Sequence, residues 1–194
     1  MAYTSCAAEM AANIAQDCEQ PIVGGYTGRG VYIARVDAPT LTRAAGNPRI
    51  ILGITLASGK KTVVIDNVSE TPFDGSTTEL TTDSGRGMYA KNVVVRIPQR
   101  GGAAAKDVVE PLFKSALGGI LILEKRDTVG DGSFEVIGVE SGVRASAQSR
   151  NENESNGDWQ TTLSTRENYA EYSFFDTDYA TTLAKFEALL AQSF

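Results

Sequence analysis

The residues of this chain that could support catalysis are carboxylates, because the 194-residue sequence contains no histidine. Histidine is the commonest general base and the usual activator of serine and cysteine nucleophiles. Three pairs of carboxylates are close in sequence: Glu135 with Glu140, Asp127 with Asp131, and Asp176 with Asp178. Glycoside cleavage needs two such groups facing each other across a cleft with separated pKa values, and closeness in sequence does not establish that.

Several of these aspartates have structural explanations. Asp131 precedes a glycine and is typical of a tight turn, while Asp176 or Asp178 stands where a helix N-cap is expected. The segment Asp127–Ser133 lacks the alternating oxygen ligands and the terminal glutamate of an EF-hand calcium loop. The sequence therefore predicts that the chain is not an enzyme and that these residues hold no metal.

The two cysteines and the glycine-rich segments do not predict a metal or nucleotide site. Cys6 and Cys18 are twelve residues apart and supply two ligands at most, so no zinc site is expected. They are either two reduced thiols or a Cys6–Cys18 disulfide. The cluster Gly25–Gly30 opens a strand, whereas a dinucleotide-binding loop opens a helix. Residues 59–62 (Gly-Lys-Lys-Thr) lack the spacing of a P-loop and predict a hairpin tip. No cofactor is expected.

Charge and hydropathy limit the partners. Eighteen basic and 24 acidic residues give a net charge of −6 and a pI near 4.8. Such a surface repels phosphate backbones, so tight nucleic-acid binding is not expected, although loose passage of nucleic acid is compatible with it. The N-terminus lacks the basic start and apolar block of a secretory signal, and no apolar run is long enough to span a bilayer. Synthesis in the cytosol, with no membrane partner, is the expectation.

The stretch Ala103–Glu140 is expected to organise the fold. Its first apolar residues recur at three- and four-residue intervals, which predicts an amphipathic helix ended by two glycines. The stripe consists of Val109, Leu112, Phe113, Ala116 and Leu117. The apolar strand Ile120–Glu124 follows and can cover that stripe, and a turn then leads to a second strand, Ser133–Glu140.

Alternating and β-branched runs predict further strands on both sides of that stretch. They are Val31–Val36, Ile50–Ala57, Thr62–Val68, Met88–Pro98, Trp159–Thr165 and Glu171–Phe175. Apolar residues at intervals of four, three and four from Tyr179 to Leu190 predict a C-terminal helix. Residues 1–20 are predicted as an N-terminal arm or short helix, and residues 21–194 as a single domain. The fold class is β-rich α+β, with two sheets forming a sandwich or barrel.

The strand Met88–Pro98 is predicted to have one apolar face. That face consists of Tyr89, Val93, Val95 and Ile97. Lys91, Val94 and Arg96 are assigned to the other positions, and Pro98 ends the strand.

The segment 69–87 interrupts the pattern with Thr, Ser, Gly and Asp. An insertion of this length without regular structure is unusual inside a compact domain unless it binds a partner or serves assembly. A disordered surface loop is the alternative. Phe73 and Leu80 favour contact with a partner, because a purely solvating loop needs neither. The candidate inter-subunit contacts are Phe73, Asp74, Glu79, Leu80, Asp83 and Arg86.

Three parts of the sequence together resemble a known family. They are Pro21-Ile-Val-Gly-Gly25, the segment Gly132-Ser-Phe-Glu-Val-Ile-Gly-Val-Glu-Ser-Gly142, and the Trp159–Thr165 strand with the aromatic run that follows. Together with the single helix that leads to an apolar strand, they resemble the tail tube proteins of long-tailed bacteriophages, particularly those infecting Bacteroidetes. The resemblance implies a two-sheet β-sandwich with a flanking helix, a fold shared with the inner tubes of contractile tails and type VI secretion. It also implies hexameric rings stacked into a hollow tube of the virion tail, through which DNA is ejected.

The resemblance further implies how subunits meet. Long loops and chain termini bridge neighbours in that family, which corresponds here to residues 69–87 and Met1–Gln20. The strands Val31–Val36 and Met88–Pro98 are predicted to offer sheet edges that pair across subunits, and an acidic inner face would let DNA pass. The expected partners are copies of the chain, other tail proteins and transiently passing DNA. The C-terminal helix, Asp178–Gln192, departs from simple tube proteins.

Two other classes of function stay open at this point. A neck, terminator or decoration protein of the virion would form a single ring or bind a capsid. A monomeric carbohydrate-binding β-sandwich would expose an aromatic platform, for which Trp159, Tyr169 and Tyr172 are the candidates. Their alternation with polar residues favours a position in the core or at a subunit interface instead.

Overall fold

The structure, a computed structural model, describes residues 24–66, 73–82, 87–97, 114–128, 130–150 and 158–193. Eleven strands lie within these ranges: β1 Tyr26–Ala34, β2 Thr40–Ala44, β3 Asn47–Thr55, β4 Val63–Asp66, β5 Phe73–Thr81, β6 Met88–Ile97, β7 Gly119–Lys125, β8 Phe134–Ile137, β9 Arg144–Arg150, β10 Trp159–Glu167 and β11 Tyr172–Phe174. Helix α1 spans Tyr179–Leu190, and two short 3-10 turns span Arg35–Asp37 and Gly130–Gly132. The described chain is therefore mostly β, with a helix at its C-terminal end.

The strands form two sheets, here called the larger and the smaller sheet. The order in the larger sheet is β2-β3-β11-β8-β7-β1-β4, and the order in the smaller sheet is β5-β6-β10-β9. The paired strands are antiparallel except for β11 with β3. The two strands predicted to follow the central helix are present and pair with each other, with Leu121 of β7 opposite Ile137 of β8.

Strand β7 is apolar on both of its faces. Leu121 and Leu123 belong to a buried cluster shared with the smaller sheet, the inter-sheet core. Ile120 and Ile122 belong to a second cluster shared with α1, the helix-side core. The four side chains are at most 2% exposed, as expected for a strand buried on both sides. The larger sheet is therefore the middle layer, between the smaller sheet and α1.

Helix α1 covers the face of the larger sheet that is turned away from the smaller sheet. Its N-cap is Asp178, whose Oδ1 accepts a hydrogen bond of 2.7 Å from the Thr181 N–H. Phe186 is fully buried, and its ring centroid lies 5.0 Å from that of Phe134 in β8. The predicted C-terminal helix and its aspartate cap are confirmed, and the apolar stripe of the helix supplies one side of the helix-side core.

The two strands predicted to offer sheet edges lie inside their sheets. β1, which contains most of Val31–Val36, lies between β7 and β4, and β6, which contains most of Met88–Pro98, lies between β5 and β10. That prediction is therefore wrong. Val31 and Val93 are fully buried, and strongly β-branched runs of this kind are typical of strands with a neighbour on each side. The outer strands are β2 and β4 in the larger sheet, and β5 and β9 in the smaller sheet.

Much of the segment 69–87 is a strand, so the prediction of an unstructured insertion is wrong for residues 73–81. β5 pairs with β6 from Phe73 opposite Val95 to Thr81 opposite Met88, with an irregular register between Phe73 and Ser76. Gly75 lies in that irregularity with φ of 103°, a backbone conformation typical of glycine at a bulge. Residues 69–72 and 83–86 lie outside the described residues. The strand is not evident from the sequence, because its composition is rich in threonine and most of its side chains are exposed.

The turn at Ser58 and Gly59 is not a hairpin tip. β3 precedes this turn and β4 follows it, yet the described pairing of β4 is with β1, at the opposite end of the larger sheet. Strand β11 lies beside β3 instead. The two strands are parallel, and Phe174 is paired with Ile51. The hairpin prediction is wrong because a strand more than a hundred residues away in sequence completes this part of the sheet.

The predicted central helix lies mostly outside the described residues. Lys114 is helical and is followed by a turn that ends at Gly118 with φ of 66°, a conformation typical of a helix end. The N-terminal arm, Met1–Gln20, with Cys6 and Cys18, also lies outside them. Within the part of the chain that is described, no helix has the length and apolar character needed to cross a bilayer.

The strand predicted at Ser133–Glu140 is confirmed as far as Ile137. Gly138, with φ of 89°, then turns the chain away from the larger sheet. Arg35 holds this turn, because its Nη1 donates to the carbonyl oxygens of Gly138, Val139 and Glu140 at 3.3, 3.3 and 2.6 Å. The chain then enters β9 of the smaller sheet.

Gly119 is a position where one added methyl group tests the layer packing. A Cβ at this glycine would lie 2.1 Å from Cζ of Tyr32, a residue that is 1% exposed in the inter-sheet core. We expect Gly119→Ala to lower the free energy of unfolding by about 3 kcal/mol through overpacking. Gly132→Ala is the control, since nothing lies within 4 Å of its Cβ position, and a change within about 0.5 kcal/mol is expected there. Urea unfolding measures both, and equal stability of the two variants would contradict this packing.

Candidate functional site

The smaller sheet has one face covered by the larger sheet. Val93, Val95 and Leu163 lie on the covered face and belong to the inter-sheet core. Because successive side chains of a strand point to opposite faces, the register identifies the residues of the other face. Among the described residues, no element covers the other face, here called the uncovered face. It carries Thr77 and Glu79 of β5, Ala90, Asn92, Val94 and Arg96 of β6, Gln160, Thr162, Ser164 and Arg166 of β10, and Arg144, Ala147 and Ser149 of β9. Ser146 lies beside Ser164 at the register irregularity of β9. The uncovered face is mostly polar.

Hydrogen-bonded side chains connect three strands across the uncovered face. Ser164 Oγ donates to Asn92 Oδ1 at 2.6 Å and lies 2.6 Å from Ser146 Oγ. Because the single hydroxyl hydrogen of Ser164 is used for Asn92, Ser146 must donate, either to Ser164 or to the Thr162 carbonyl 3.2 Å away. The Asn92 side-chain oxygen therefore accepts the hydrogen bond from Ser164, and the N–H groups of the same amide remain donors.

Arginines predominate among the charged residues that the register assigns to the uncovered face. Among strand residues whose side chains are described, these are Arg96, Arg144, Arg166 and Glu79. Arg144, Arg166 and Glu79 are exposed. The described side chains thus bring three positive charges and one negative charge to this face, in a chain whose net charge is −6.

Both outer strands of the smaller sheet have an open side. Among the described strands, β5 pairs with β6 alone and β9 pairs with β10 alone. The other side of each strand presents main-chain N–H and C=O groups that can pair with a further strand. Leu80 of β5 is 60% exposed, so this edge also offers apolar area to a partner.

Phe73, predicted as an inter-subunit contact, is a core residue. It is 4% exposed, and its ring centroid lies 6.0 Å from that of Tyr26 in an edge-to-face arrangement. Gly30 makes room for it, because a Cβ at that glycine would lie 2.5 Å from Phe73 Cζ. The prediction is wrong for Phe73, and the glycine that precedes the apolar part of β1 serves close packing between the sheets.

The other predicted contact residues lie on or next to the same edge strand. Glu79 and Leu80 are exposed residues of β5, and Asp74 is also part of this strand. Asp83 and Arg86 lie outside the described residues. Contact between Glu79 or Leu80 and a second copy stays a prediction, now attached to a sheet edge.

The aromatic residues considered for carbohydrate binding do not form an exposed platform. Tyr172 is fully buried in the helix-side core, and its hydroxyl donates to Glu140. The Tyr169 ring meets the Tyr172 ring edge-on at 5.5 Å, and the Arg49 guanidinium lies 4.7 Å from the Tyr169 centroid. Trp159 begins β10 in the other sheet. The interpretation of Tyr172 as a core residue is confirmed.

A buried ionic cluster joins the two sheets. Lys91 Nζ of β6 lies 3.4 Å from Glu135 Oε1 of β8 and 3.4 Å from Glu167 Oε2 of β10. Lys91 is 1% exposed and Glu167 is fully buried, so these charges require partners inside the protein. Glu167 Oε1 accepts hydrogen bonds from the N–H groups of Gly138 and Val139 at 3.0 and 2.7 Å. These bonds fix the start of the crossing from the larger to the smaller sheet.

Tyr26 extends the cluster to the edge strand β5. Its hydroxyl donates to Glu135 Oε2 at 2.8 Å and lies 2.6 Å from Ser76 Oγ of β5. Burial and the charge of Glu135 raise the pKa of Tyr26, so the phenol keeps the proton that it donates. Burial also raises the pKa of Glu167, against the opposing effects of Lys91 and of the two backbone N–H groups. The Lys91 cluster, meaning Lys91, Glu135, Glu167 and Tyr26, therefore links three strands of the smaller sheet to the larger one.

The alternation of residues in β6 indicates that Lys91 lies on the apolar face. The prediction that placed Lys91 away from that face is wrong. Lys91 has the same parity as Tyr89, Val93, Val95 and Ile97, and the structure buries it on their face. A lysine in phase with a core face indicates a buried carboxylate partner. The partners come from β8 and β10, and no local pattern indicates which glutamates they are.

Four of the carboxylates considered for catalysis, Glu135, Glu140, Asp176 and Asp178, are held by separate partners. Glu135 belongs to the Lys91 cluster, whereas Glu140 accepts a hydrogen bond from the Asn168 N–H at 2.9 Å. Asp176 pairs with a lysine of α1 at 2.6 Å, and Asp178 caps that helix. Among the described residues, no group of three or more Cys, Asp or Glu is placed to hold a metal ion.

Comparison with known proteins assigns no family: no family model, no curated protein and no solved structure matches this chain. The resemblance to tail tube proteins therefore depends on the sequence features quoted above. The candidate site within the described part of the chain is the smaller sheet, with its polar uncovered face and its two open edges.

Removal of the Lys91 charge tests the cluster. Lys91→Met keeps the aliphatic stem and leaves Glu135 and Glu167 buried without a cation, so we expect a loss of about 3 kcal/mol in unfolding free energy at pH 7.5. Burial raises the pKa of Glu167 and Lys91 opposes that rise, so without the ammonium the folded-state pKa of Glu167 rises further. Stability is then lost as the pH rises from the ordinary value of 4.5 through the raised pKa of Glu167. The deficit relative to the unaltered protein should therefore shrink at pH 5.

Lys60→Met serves as the control for that substitution. Lys60 pairs with Asp37 at 2.7 Å, but its side chain is 48% exposed, so a change of no more than about 1 kcal/mol is expected. Adding Glu167→Gln to Lys91→Met should restore part of the lost stability, because one buried charge is removed. Chemical denaturation at the two pH values measures all three variants, and a deficit independent of pH would show that the carboxylates do not depend on Lys91.

Proposed function

We propose that this chain is a structural subunit of a phage tail tube and that its copies join into rings through the edges of the smaller sheet. The observation that carries the proposal is the presence, on one four-stranded sheet, of two open edges and a polar uncovered face. The sequence resemblance favours the same function, and most of the residues that carry it lie outside the smaller sheet.

Edge pairing would extend the smaller sheet from one copy to the next. If β5 of one copy pairs with β9 of its neighbour, the four strands of each copy continue into a sheet that crosses the subunits. A closed ring of this kind leaves no free edge in the smaller sheets. Six copies, the number that the resemblance implies, would give a barrel of about 24 strands, and barrels of about 16 to 18 strands already enclose an aqueous channel.

The layer order decides which face would line the channel. The larger sheet covers one face of the smaller sheet, so the uncovered face is the one available to the bore. The larger sheet and α1 would then form the outer wall. This also gives the C-terminal helix a role, because Phe186 and Leu189 complete the helix-side core away from the edges that join the copies.

This orientation changes the expected charge of the bore. In the described strands of the uncovered face, Arg96, Arg144 and Arg166 outnumber Glu79. These strands would therefore contribute a basic lining instead of the acidic lining that the net charge predicts. Most of the acidic surface of the ring would then lie on its outer wall and on its loops.

The alternative functions differ from this proposal in what they expose. A carbohydrate-binding module is disfavoured, because Tyr172 is buried and Trp159 lies in the other sheet. A neck, terminator or decoration protein could share the ring contacts and would stop at one ring or bind a capsid. Polymerisation distinguishes these virion functions from a tube subunit.

Negative-stain electron microscopy of the concentrated, purified chain tests the proposal. We expect hollow tubes built from stacked rings. Single rings would support the neck or terminator alternative, and isolated particles at every concentration and salt condition would overturn the proposed function.

Leu80→Lys tests the edge of β5. It places a charge on an exposed apolar side chain of the edge strand, and charged residues on an edge oppose pairing with another chain. We expect at least about a tenfold rise in the concentration needed for assembly, with the melting temperature unchanged. Val36→Lys is the matched control, because Val36 is 66% exposed in a 3-10 turn of the larger sheet. Light scattering follows assembly, and equal assembly of both variants would remove the β5 edge from the proposed interface.

A further inference from the structure

A groove of about 480 Å³ lies on the uncovered face, next to the crossing between the sheets. It is lined by Asn92 and Ser164 and, beside them, by Ser141, Arg144 and Arg166. Arg144 lies directly opposite Ser164 in the register of β9 and β10. Arg166 follows two residues later on the same face, so the two arginines start from diagonal positions about 7 Å apart. Both arginines are exposed.

Hydrogen bonds position the groups around this groove. Ser141 Oγ donates to the Arg166 carbonyl at 2.9 Å, and Arg144 Nη2 donates to the Ser141 carbonyl at 3.4 Å. The second bond turns the Arg144 guanidinium toward the groove and occupies one of its five N–H donors. The Asn92 oxygen accepts a hydrogen bond from Ser164, so the N–H groups of its amide are available as donors. The groove therefore combines these N–H donors with the guanidinium groups of Arg144 and Arg166.

The charge of the groove selects its ligand. None of the described residues that line it is acidic, although acidic residues outnumber basic ones in the chain by 24 to 18. Guanidinium groups bind carboxylate and phosphate oxygens in a fork geometry. The chemistry of the groove therefore favours an oxyanion that can take several N–H donors, such as a phosphate group.

We propose that the groove binds the phosphodiester backbone of nucleic acid. The choice of nucleic acid over a free anion rests on the proposed function, in which the uncovered face lines the path of the DNA. A second observation favours a polymer: Arg96 lies on the same face opposite Gln160, six residues along β10 from Arg166. That separation is about 20 Å along the strands, too far for one phosphate group and within the reach of a nucleic-acid backbone.

Binding by these arginines is weak and dependent on salt. Each neutralised phosphate contributes about −0.9 to the slope of log K against log salt, so three arginines give a slope of about −2.7. Contacts of this kind exchange quickly at physiological salt and agree with the expected absence of tight binding.

The test compares two double variants with the same change in net charge. Arg144→Gln/Arg166→Gln removes the groove arginines, and Arg43→Gln/Arg49→Gln removes two exposed arginines from β2 and β3 of the larger sheet. Fluorescence anisotropy with a labelled 12-base-pair duplex, in a series of salt concentrations, gives the affinity and its salt slope. We expect the groove variant to lose at least about tenfold in affinity at low salt and about 1.8 in slope. The control should change by no more than about twofold, and thermal unfolding verifies that both variants are folded.

Two further measurements identify the ligand and its site. Amide resonances of Asn92, Gly142 and Ser164 should shift on addition of the duplex, while those of β2 and β3 should not. Inorganic phosphate at matched ionic strength should compete weakly. No binding of the duplex at low salt, equal loss in both double variants, or saturable binding of inorganic phosphate without binding of the duplex would overturn the assignment.

The outcomes separate this inference from the proposed function. Tubes whose subunits ignore the duplex would leave the proposed function intact and overturn the groove assignment. A chain that never polymerises but binds the duplex through Arg144 and Arg166 would support the groove and overturn the tube.

Discussion

Burial of β7 on both faces is the constraint on which the rest of the structure depends. Its leucines enter the inter-sheet core and its isoleucines enter the helix-side core. A strand apolar on both sides must be covered twice, so the larger sheet has the smaller sheet on one face and α1 on the other. Complete burial of its four central side chains stabilises the fold by about 1.5–3 kcal/mol each relative to exposure. The layer order follows from this one strand.

The same layer order gives the smaller sheet its functional character. One face is committed to the core, and the Lys91 cluster anchors that face through Glu135 and Tyr26 of the larger sheet. Buried ion pairs add little net stability, but a misplaced sheet would leave their charges unpaired, so the cluster favours one register. Within the described ranges, nothing covers the opposite face or the outer sides of β5 and β9, so these surfaces can meet partners. A single interaction surface therefore combines polar side chains, arginines and open main-chain groups.

Local sequence patterns predict the strands and helices better than they predict which strands pair with each other. The period of α1, the cap at Asp178, the apolar run of β7 and the alternation of β10 are properties of adjacent residues, and the structure confirms them. The pairing of β4 with β1 and of β11 with β3 depends on contacts between distant segments, which no local period records. The core position of Phe73 is hidden because its strand is mostly exposed and threonine-rich. The core position of Lys91 follows from the alternation of its strand, but no local pattern indicates the glutamates that pair with it. The uncovered face could be predicted as polar, but its role depends on which sheet covers the other side.

Hydrogen–deuterium exchange, measured on the dispersed chain and on its assembled form, tests the central claim most directly. If copies join through the smaller sheet, amides of β5 and β9 that face away from β6 and β10 exchange quickly in the dispersed chain and become protected on assembly. Amides of β2 and β4, the outer strands of the larger sheet, keep their exchange rates. Protection that appears at β2 or β4 while β5 and β9 stay unchanged would contradict the account.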